Sequence, residues 1–313
     1  MYFLQEQAAV ICLLQDHFRS PFADLFFKLW NFFDTKEFFF LLIPLTWFGY
    51  NRKLGIRILY GVLFSGFINS LLKDFFQCPR PFILFPELTV LSVSGFSFPS
   101  GAAQTSIFLP FTFALHFNRA SVWIISGFFA LLLSFSRIYL GVHFPLDLLI
   151  GWLVGGGILY FLWDEKYFEK IFRFWESANA KKKILYTAFI GGILFAQGRL
   201  LASIFIGTHV GMLLFPKYDR QEKNIHLKRA LLQSSLNIGG SVACLLSYEL
   251  FSLLSGSTYK TFLEVVLYSF IGFWLSVGTN IIYSALNAIK GKRRLPLIRI
   301  AKKSHPNTSA EIQ

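Results

Sequence analysis

The sequence predicts an all-α, polytopic integral membrane protein, a helical bundle assembled from several apolar spans. Hydrophobic residues make up 54% of the 313, with 39 Phe among them, while charged residues reach only 15%. Soluble domains carry roughly 25% charged residues, so this surface is not made to meet water on every side. Mean hydropathy is +0.53, and long apolar stretches recur from about residue 37 to about residue 288. A disordered chain, a collagen-like fibre and a disulfide-stapled secreted module are excluded. Cys12, Cys78 and Cys244 are scattered, odd in number and without metal-ligand spacing, so they read as packing residues. The net charge of +13 fits Lys and Arg gathered on cytoplasmic loops rather than a nucleic-acid surface, since the aromatics sit in apolar runs.

Residues 1–35 come first. The run Ala8–Leu14 is too short to span, and Gln5 and Glu6 without a basic cluster make a poor signal peptide. Phe22, Phe26, Phe27, Trp30 and Phe33 recur at helical spacing, with Pro21 as an interruption. A pair of amphipathic helices in the membrane interface is expected there. Residues 36–165 form the expected membrane core, with apolar spans at about 37–50, 57–76, 99–117, 121–141 and 144–163. Arg52, Lys53 and Arg57 mark one loop and Arg119 another, and the basic linker 166–183 marks a third. By the positive-inside bias these are cytoplasmic. The Pro-rich loop at about 77–98, with Arg80 as its one basic residue, then faces outward with the turn 141–143.

Residues 184–288 read as further membrane segments, followed by a basic cytoplasmic tail, 289–313. Two long spans at about 230–253 and 261–287 lead back from that tail to a basic loop with Lys217, Arg220, Lys223, Lys228 and Arg229. The stretch 184–215 then begins and ends on one side, as two crossings or as a re-entrant hairpin turning near Gly198 and Arg199. A single span with a basic outer loop is the alternative. Gly191, Gly192, Gly198, Gly207 and Gly211 favour close helix contacts. Nothing here reveals an oligomeric state.

Polar residues interrupt the apolar pattern at three places, all assigned to the outer face. Lys73 and Arg80–Pro81 close the second span, Phe98-Pro99-Ser100-Gly101-Ala102 opens the third, and Ser136-Arg137 through His143 to Asp147 joins the fourth and fifth. Ionisable groups at such depth are expensive and point to function. Lys73, Arg80 and Arg137 are a natural cradle for a phosphate dianion. With Pro99 at the first helical position, Ser100 and Gly101 offer a hydroxyl and free N–H groups at a helix N-terminus. His143 and Asp147, four apart, share one face of the helix opening near Pro145. The carboxylate fixes one imidazole nitrogen and leaves the other as nucleophile or base. Singly, each segment also fits an interfacial anchor, a helix start or a structural pair; together they point to an anion site.

These motifs, Lys-x6-Arg-Pro, Pro-Ser-Gly and Ser-Arg-x5-His-x3-Asp, resemble the tripartite signature of the type 2 phosphatidic acid phosphatase superfamily, which also holds vanadium haloperoxidases. The resemblance covers about residues 37–165, and Gly95-Phe96-Ser97-Phe98 and Ala103-Gln104 are similar to bacterial members. It implies a helical bundle hydrolysing phosphate esters at the outer face through a phosphohistidine. His143 is then the nucleophile and Asp147 its orienter. Lys73, Arg80, Ser100, Gly101 and Arg137 bind the phosphoryl oxygens, with no metal and no other cofactor.

The family's second motif ends in a histidine that protonates the leaving oxygen, and this chain has Ala102 there. Loss of a positioned acid costs about 100- to 10,000-fold. An alkoxide needs that proton badly, a phosphate leaving from a lipid diphosphate much less. Three explanations stand open: an inactivating laboratory substitution, a natural enzyme for diphosphate lipids, or a degenerate member that binds without turnover. His209, on an apolar run, is no evident substitute. The expectation is a lipid phosphatase in the bacterial cytoplasmic membrane, its site outward, acting on a lipid phosphate or diphosphate. The alternative is a non-catalytic binder or translocator of such lipids.

Overall fold

The computed structural model describes residues 2–216, 227–255 and 259–293. The expected basic positions Lys217, Arg220 and Lys223, and the tail from residue 294 onward, lie outside them. Among the described residues there are helices and no strands. In chain order these are α1 (Tyr2–Phe18), α2 (Pro21–Trp30), a 3-10 turn (Asn31–Asp34), α3 (Lys36–Gly49), α4 (Arg52–Phe76) and α5 (Pro81–Leu84). They continue with α6 (Gly101–Phe117), α7 (Ala120–Tyr139), α8 (Pro145–Trp163), α9 (Glu165–Ser177), α10 (Ala180–Gln197) and α11 (Arg199–Leu214). α12 (Leu227–Ser255), α13 (Lys260–Phe273), a π-helical turn (Trp274–Gly278) and α14 (Thr279–Arg293) complete them.

Among the described residues four segments are long and apolar enough to cross a membrane: Arg52–Leu84, Ala120–Tyr139, Pro145–Trp163 and Lys260–Leu286. At ~1.5 Å per residue the 25 residues of α4 exceed a hydrocarbon core of roughly 30 Å. Two expected spans are shorter than a full crossing, α3 as long as its apolar run 37–50 and α6 starting two residues later than expected. α3 has 14 residues, because the Asn51 side chain accepts from Leu54 N–H and starts α4 at once. α6 has 17 residues and begins at Gly101, where Ser100 caps it. The basic cluster expected in a loop is also drawn into helix: Arg52, Lys53 and Arg57 lie on the first turns of α4. Arg57 is buried over the Trp163 and Phe168 rings, 4.8 and 4.5 Å from their centroids, and Lys53 pairs with Glu169 of α9. These contacts fasten α4 to the end of α8 and to α9.

α4, α6, α7 and α8 pack together around the residues of the three motifs. Their interior is filled by Leu59, Leu63, Phe108, Leu109, Ile158 and Leu162, and it continues into Phe205 and Ile271 of the second half. Close approach of α8 to α6 depends on the absence of side chains. A Cβ at Gly151 would lie 2.7 Å from Ser100 O, and one at Gly155 would lie 2.5 Å from Gln104 O. The α10–α11 hairpin turns at Gly198, the place where parity called for a reversal. α11 then rests against α13 so closely that a Cβ at Gly207 would meet Ser269 O at 1.8 Å.

The N-terminal helices dock on the core through amides as well as apolar side chains. Gln15 of α1 donates to Leu88 O (3.0 Å) and Tyr139 O (2.8 Å), and Gln7 accepts from Leu146 N–H at 2.9 Å. Tyr139 donates to Asp24 of α2 at 2.6 Å. The buried face of α1 is therefore half polar, Gln7, Ala8, Ile11 and Gln15. That pattern belongs to a helix held by protein on that face.

Candidate active site

The first motif closes α4. Lys73 lies in its last turn, and Gln77 stops the helix in a left-handed conformation (φ 46°). Arg80 follows in extended backbone and caps α5, with Pro81 in its first turn. Both cations hold the loop before the second motif. Lys73 Nζ donates to Phe96 O at 2.8 Å, and the Arg80 guanidinium donates to Gly95 O (2.8 Å), Ser94 O (3.1 Å) and Val142 O (2.9 Å). Arg80 is 4% exposed, so every one of these bonds matters to a charge removed from water.

The second motif differs from its sequence reading in one respect. Pro99 precedes the helix, Ser100 is the N-cap, and Gly101 is the first helical residue. Capping governs: Ser100 Oγ accepts from Ala103 N–H at 3.3 Å. The N–H groups of Gly101 and Ala102 still precede the intrahelical ladder and remain anion donors. Ser100 N–H donates to Asp147 O at 3.0 Å, joining this helix start to the third motif. Ala102 is buried and brings only a methyl group to the first turn.

The third motif begins with Arg137 in the last turn of α7. Gly141 (φ +70°) makes the following turn, where a Cβ would sit 2.1 Å from Leu88 O. His143 and Asp147 do meet, but not as neighbours on a helix face: His143 precedes α8 by two residues. Asp147 is the third residue of α8 and its carboxylate turns back to the helix start, accepting from Phe144 N–H at 2.9 Å. The His143 imidazole folds onto the same oxygen, Nδ1 to Oδ2 at 3.3 Å. Ser97 donates to Asp147 Oδ2 as well, and its hydroxyl stands 3.4 Å from His143 Nδ1. With its proton on Nδ1, His143 presents the Nε2 lone pair towards Arg80, whose Nη1 is 3.4 Å away. Burial outweighs Asp147 and lowers the His143 pKa to about 4, which keeps the ring uncharged near neutrality.

Arg137 is engaged elsewhere. Its Nη1 donates to Asn31 Oδ1 at 2.6 Å and to Asp34 Oδ2 at 3.3 Å, and its Nε to Ser136 Oγ at 3.1 Å. Its Nη2 is buried with no hydrogen-bond partner. Lys73, Arg80, Ser100, Gly101, His143 and Asp147 are thus gathered through the 94–97 loop and the α6–α8 contact, and Arg137 joins them with one donor unspent. Three side chains were not singled out by sequence: Ser97, Asn31 and Asp34. Only Ser97 had a signal, in the run before the second motif. His209 lies in an aromatic box away from these residues, bonded to Phe205 O (2.8 Å) and Tyr60 OH (2.7 Å) with Trp175 against its edge. Among the described residues no group of three His, Cys, Asp or Glu side chains could hold a metal ion.

With this geometry established, comparison with known proteins points to the same family. Residues 54–173 match the model of the PAP2 superfamily. This segment is similar to the PAP2 superfamily. The PAP2 segment runs from α4 into α9 and contains all three motifs. Relatives are similar over part of the chain. A dihydrosphingosine 1-phosphate phosphatase of Saccharomyces cerevisiae is 30% identical over 49% of this chain and 41% of its own. An undecaprenyl-diphosphatase of Sulfolobus acidocaldarius is 32% identical, over 34% of this chain and 52% of its own. A phosphatidylglycerophosphatase B of Bacillus subtilis is 34% identical, over 34% of this chain and 54% of its own. The chain therefore spans about half the length, or less, of these relatives. No solved structure matches significantly.

Proposed function

We propose that this protein is an integral-membrane lipid phosphatase that releases phosphate from a phosphorylated or diphosphorylated lipid through a phosphohistidine. The observation that carries the reading is His143: an uncharged ring, its proton held on Nδ1 by Asp147, its free Nε2 turned to a guanidinium. In-line attack by Nε2 forms the N–P bond as the bond to the leaving oxygen breaks. Lys73, Arg80, Arg137 and the N–H groups opening α6 stabilise charge on the three equatorial oxygens. Water then attacks phosphorus and regenerates the imidazole.

An apolar cavity of about 520 Å³ between α7 and α8 supports a lipid substrate. Leu131, Phe135, Ile138, Pro145, Leu149 and Trp152 are among its walls, and Ile138 and Pro145 flank the turn that ends in His143. The relatives act on a long-chain base phosphate, a polyprenyl diphosphate and a glycerophospholipid, by their names. Ala102 favours the diphosphate, whose leaving group is a stable anion. Residues 36–165 serve as the catalytic core, 184–288 as scaffold. The single cation of the 77–98 loop, against the basic residues at the other membrane face, favours a site on the outer side of the membrane.

Ala102 also supports a second reading, a binder or translocator of lipid phosphates without turnover. Phosphate release by purified protein in detergent separates the two, with phosphatidic acid and a polyprenyl diphosphate as substrates. A phosphatase releases phosphate from the diphosphate and loses this with His143→Ala. A binder releases none and keeps its lipid affinity in that variant.

A further inference from the structure

Position 102 leaves the reaction without the histidine that would protonate the leaving oxygen, and the N-terminal segment brings a carboxyl group to the site. Asp147 and Asp34 both lie within electrostatic reach of Lys73 and Arg80. Asp147 is committed to His143, Ser97 and the backbone of Phe144. Asp34 is not so committed. The 3-10 turn that carries it packs against α6 and α7, and Asp34 meets Arg137 in the last turn of α7. Arg137 binds Asp34 through Nη1 and keeps Nη2 unpartnered and buried. A phosphoryl oxygen that accepts from Nη2 would place the phosphate on the same guanidinium as the Asp34 carboxyl. The Asp34 side chain retains 30% of its surface open, so a substrate can reach it.

We propose that Asp34 is the proton donor to the leaving oxygen, a carboxylic acid working in place of a second-motif histidine. The proposal rests on the phosphatase reading above. As Nε2 of His143 bonds to phosphorus and the P–O bond to the lipid breaks, the Asp34 carboxyl proton moves to the departing oxygen, leaving a carboxylate. In the second step that carboxylate takes a proton from the attacking water, and the N–P bond breaks to free phosphate. The charged groups facing Asp34 are Arg137 from α7, Lys73 from α4 and Arg80 from the stretch before α5; each favours the carboxylate. Burial acts the other way and is the larger influence, raising the Asp34 pKa above the ordinary carboxylate value.

The test compares a long-chain alkyl phosphate, with a poor leaving group, and p-nitrophenyl phosphate, with a good one. The full-length protein, Asp34→Asn, Ala102→His, the double variant and His143→Ala are assayed in detergent from pH 4 to 9. Asp34→Asn should lose about 100- to 1,000-fold on the alkyl phosphate and roughly tenfold or less on the aryl ester. It should also lose the fall in alkyl phosphate rate at high pH. Adding Ala102→His to Asp34→Asn should restore alkyl phosphate hydrolysis. An equal loss on both substrates without rescue would make Asp34 a positioning partner of Arg137 and overturn the proposal. A gain on both would make Asp34 an internal plug and overturn it equally. Release from a polyprenyl diphosphate but from neither ester, each judged against His143→Ala, would overturn the proton donor alone, and release from none of the three would end the phosphatase reading with it.

Discussion

A buried, uncharged imidazole sets the pH behaviour of the chemistry. His143 attacks only when unprotonated, and burial lowers its pKa to about 4. Raising the pH through that value frees Nε2, so kcat/KM should rise with a limb near pH 4, well below the ordinary histidine value of about 6.5. A pH–rate profile with a diphosphate substrate checks this, and a limb near 6.5 would show a solvated ring. Asp147→Asn should slow the reaction by about 100- to 10,000-fold, because the tautomer is no longer enforced. Ser97→Ala should cost less, roughly tenfold to a hundredfold, the worth of one hydrogen bond to a charged group. Lys73, Arg80, Arg137, His143 and Asp147 were legible because short spacings and costly charges in apolar surroundings mark them. Asn31 and Asp34 were not, since their meeting with Arg137 bridges more than a hundred residues. No local pattern records such a contact.

Helix starts do the positioning. Ser100 caps α6 and hands its N–H to Asp147 O, while Asp147 caps α8 and holds His143. Spacing conveyed that His143 and Asp147 meet, but it assigned them to one helix face. The capping geometry that unites them depends on where α8 begins, which Pro145 sets to within a residue or two. The α6–α8 contact can be tested directly. Gly155→Leu would drive a side chain into the Gln104 backbone, at about 1–3 kcal/mol for such overpacking, and shift the N-terminus of α6. A loss of about 100-fold in kcat with the protein still folded is expected from a displacement near 1 Å. Unchanged kcat would show that the helix start tolerates movement.

At the scale of the molecule, hydrophobic patterning predicted an all-helical membrane protein, and the four candidate spans agree with it. It started α6 at residue 99, two residues before Gly101, because it could not tell that Ser100 caps the helix. It gave no sign that Gln7 and Gln15 fasten the N-terminal segment to the core beside the site. Side-chain amides in a short apolar helix give no hint of their acceptors. The proposed orientation makes a labelling prediction. In single-cysteine variants, a membrane-impermeant maleimide should reach Cys78 from outside intact cells. Asn118→Cys, between α6 and α7, should react only after permeabilisation, and the reverse pattern would turn the site to the cytoplasm.

The proposed reaction turns on a covalent bond between His143 and phosphorus. Rapid quench of the purified protein with a terminally ³²P-labelled polyprenyl diphosphate tests it most directly, because a phosphohistidine survives alkali and is lost in acid. The prediction is protein-bound label with that stability, formed within the time of one turnover and absent from His143→Ala. Label that persists in His143→Ala, or turnover without any bound label in a protein that keeps releasing phosphate, would contradict it.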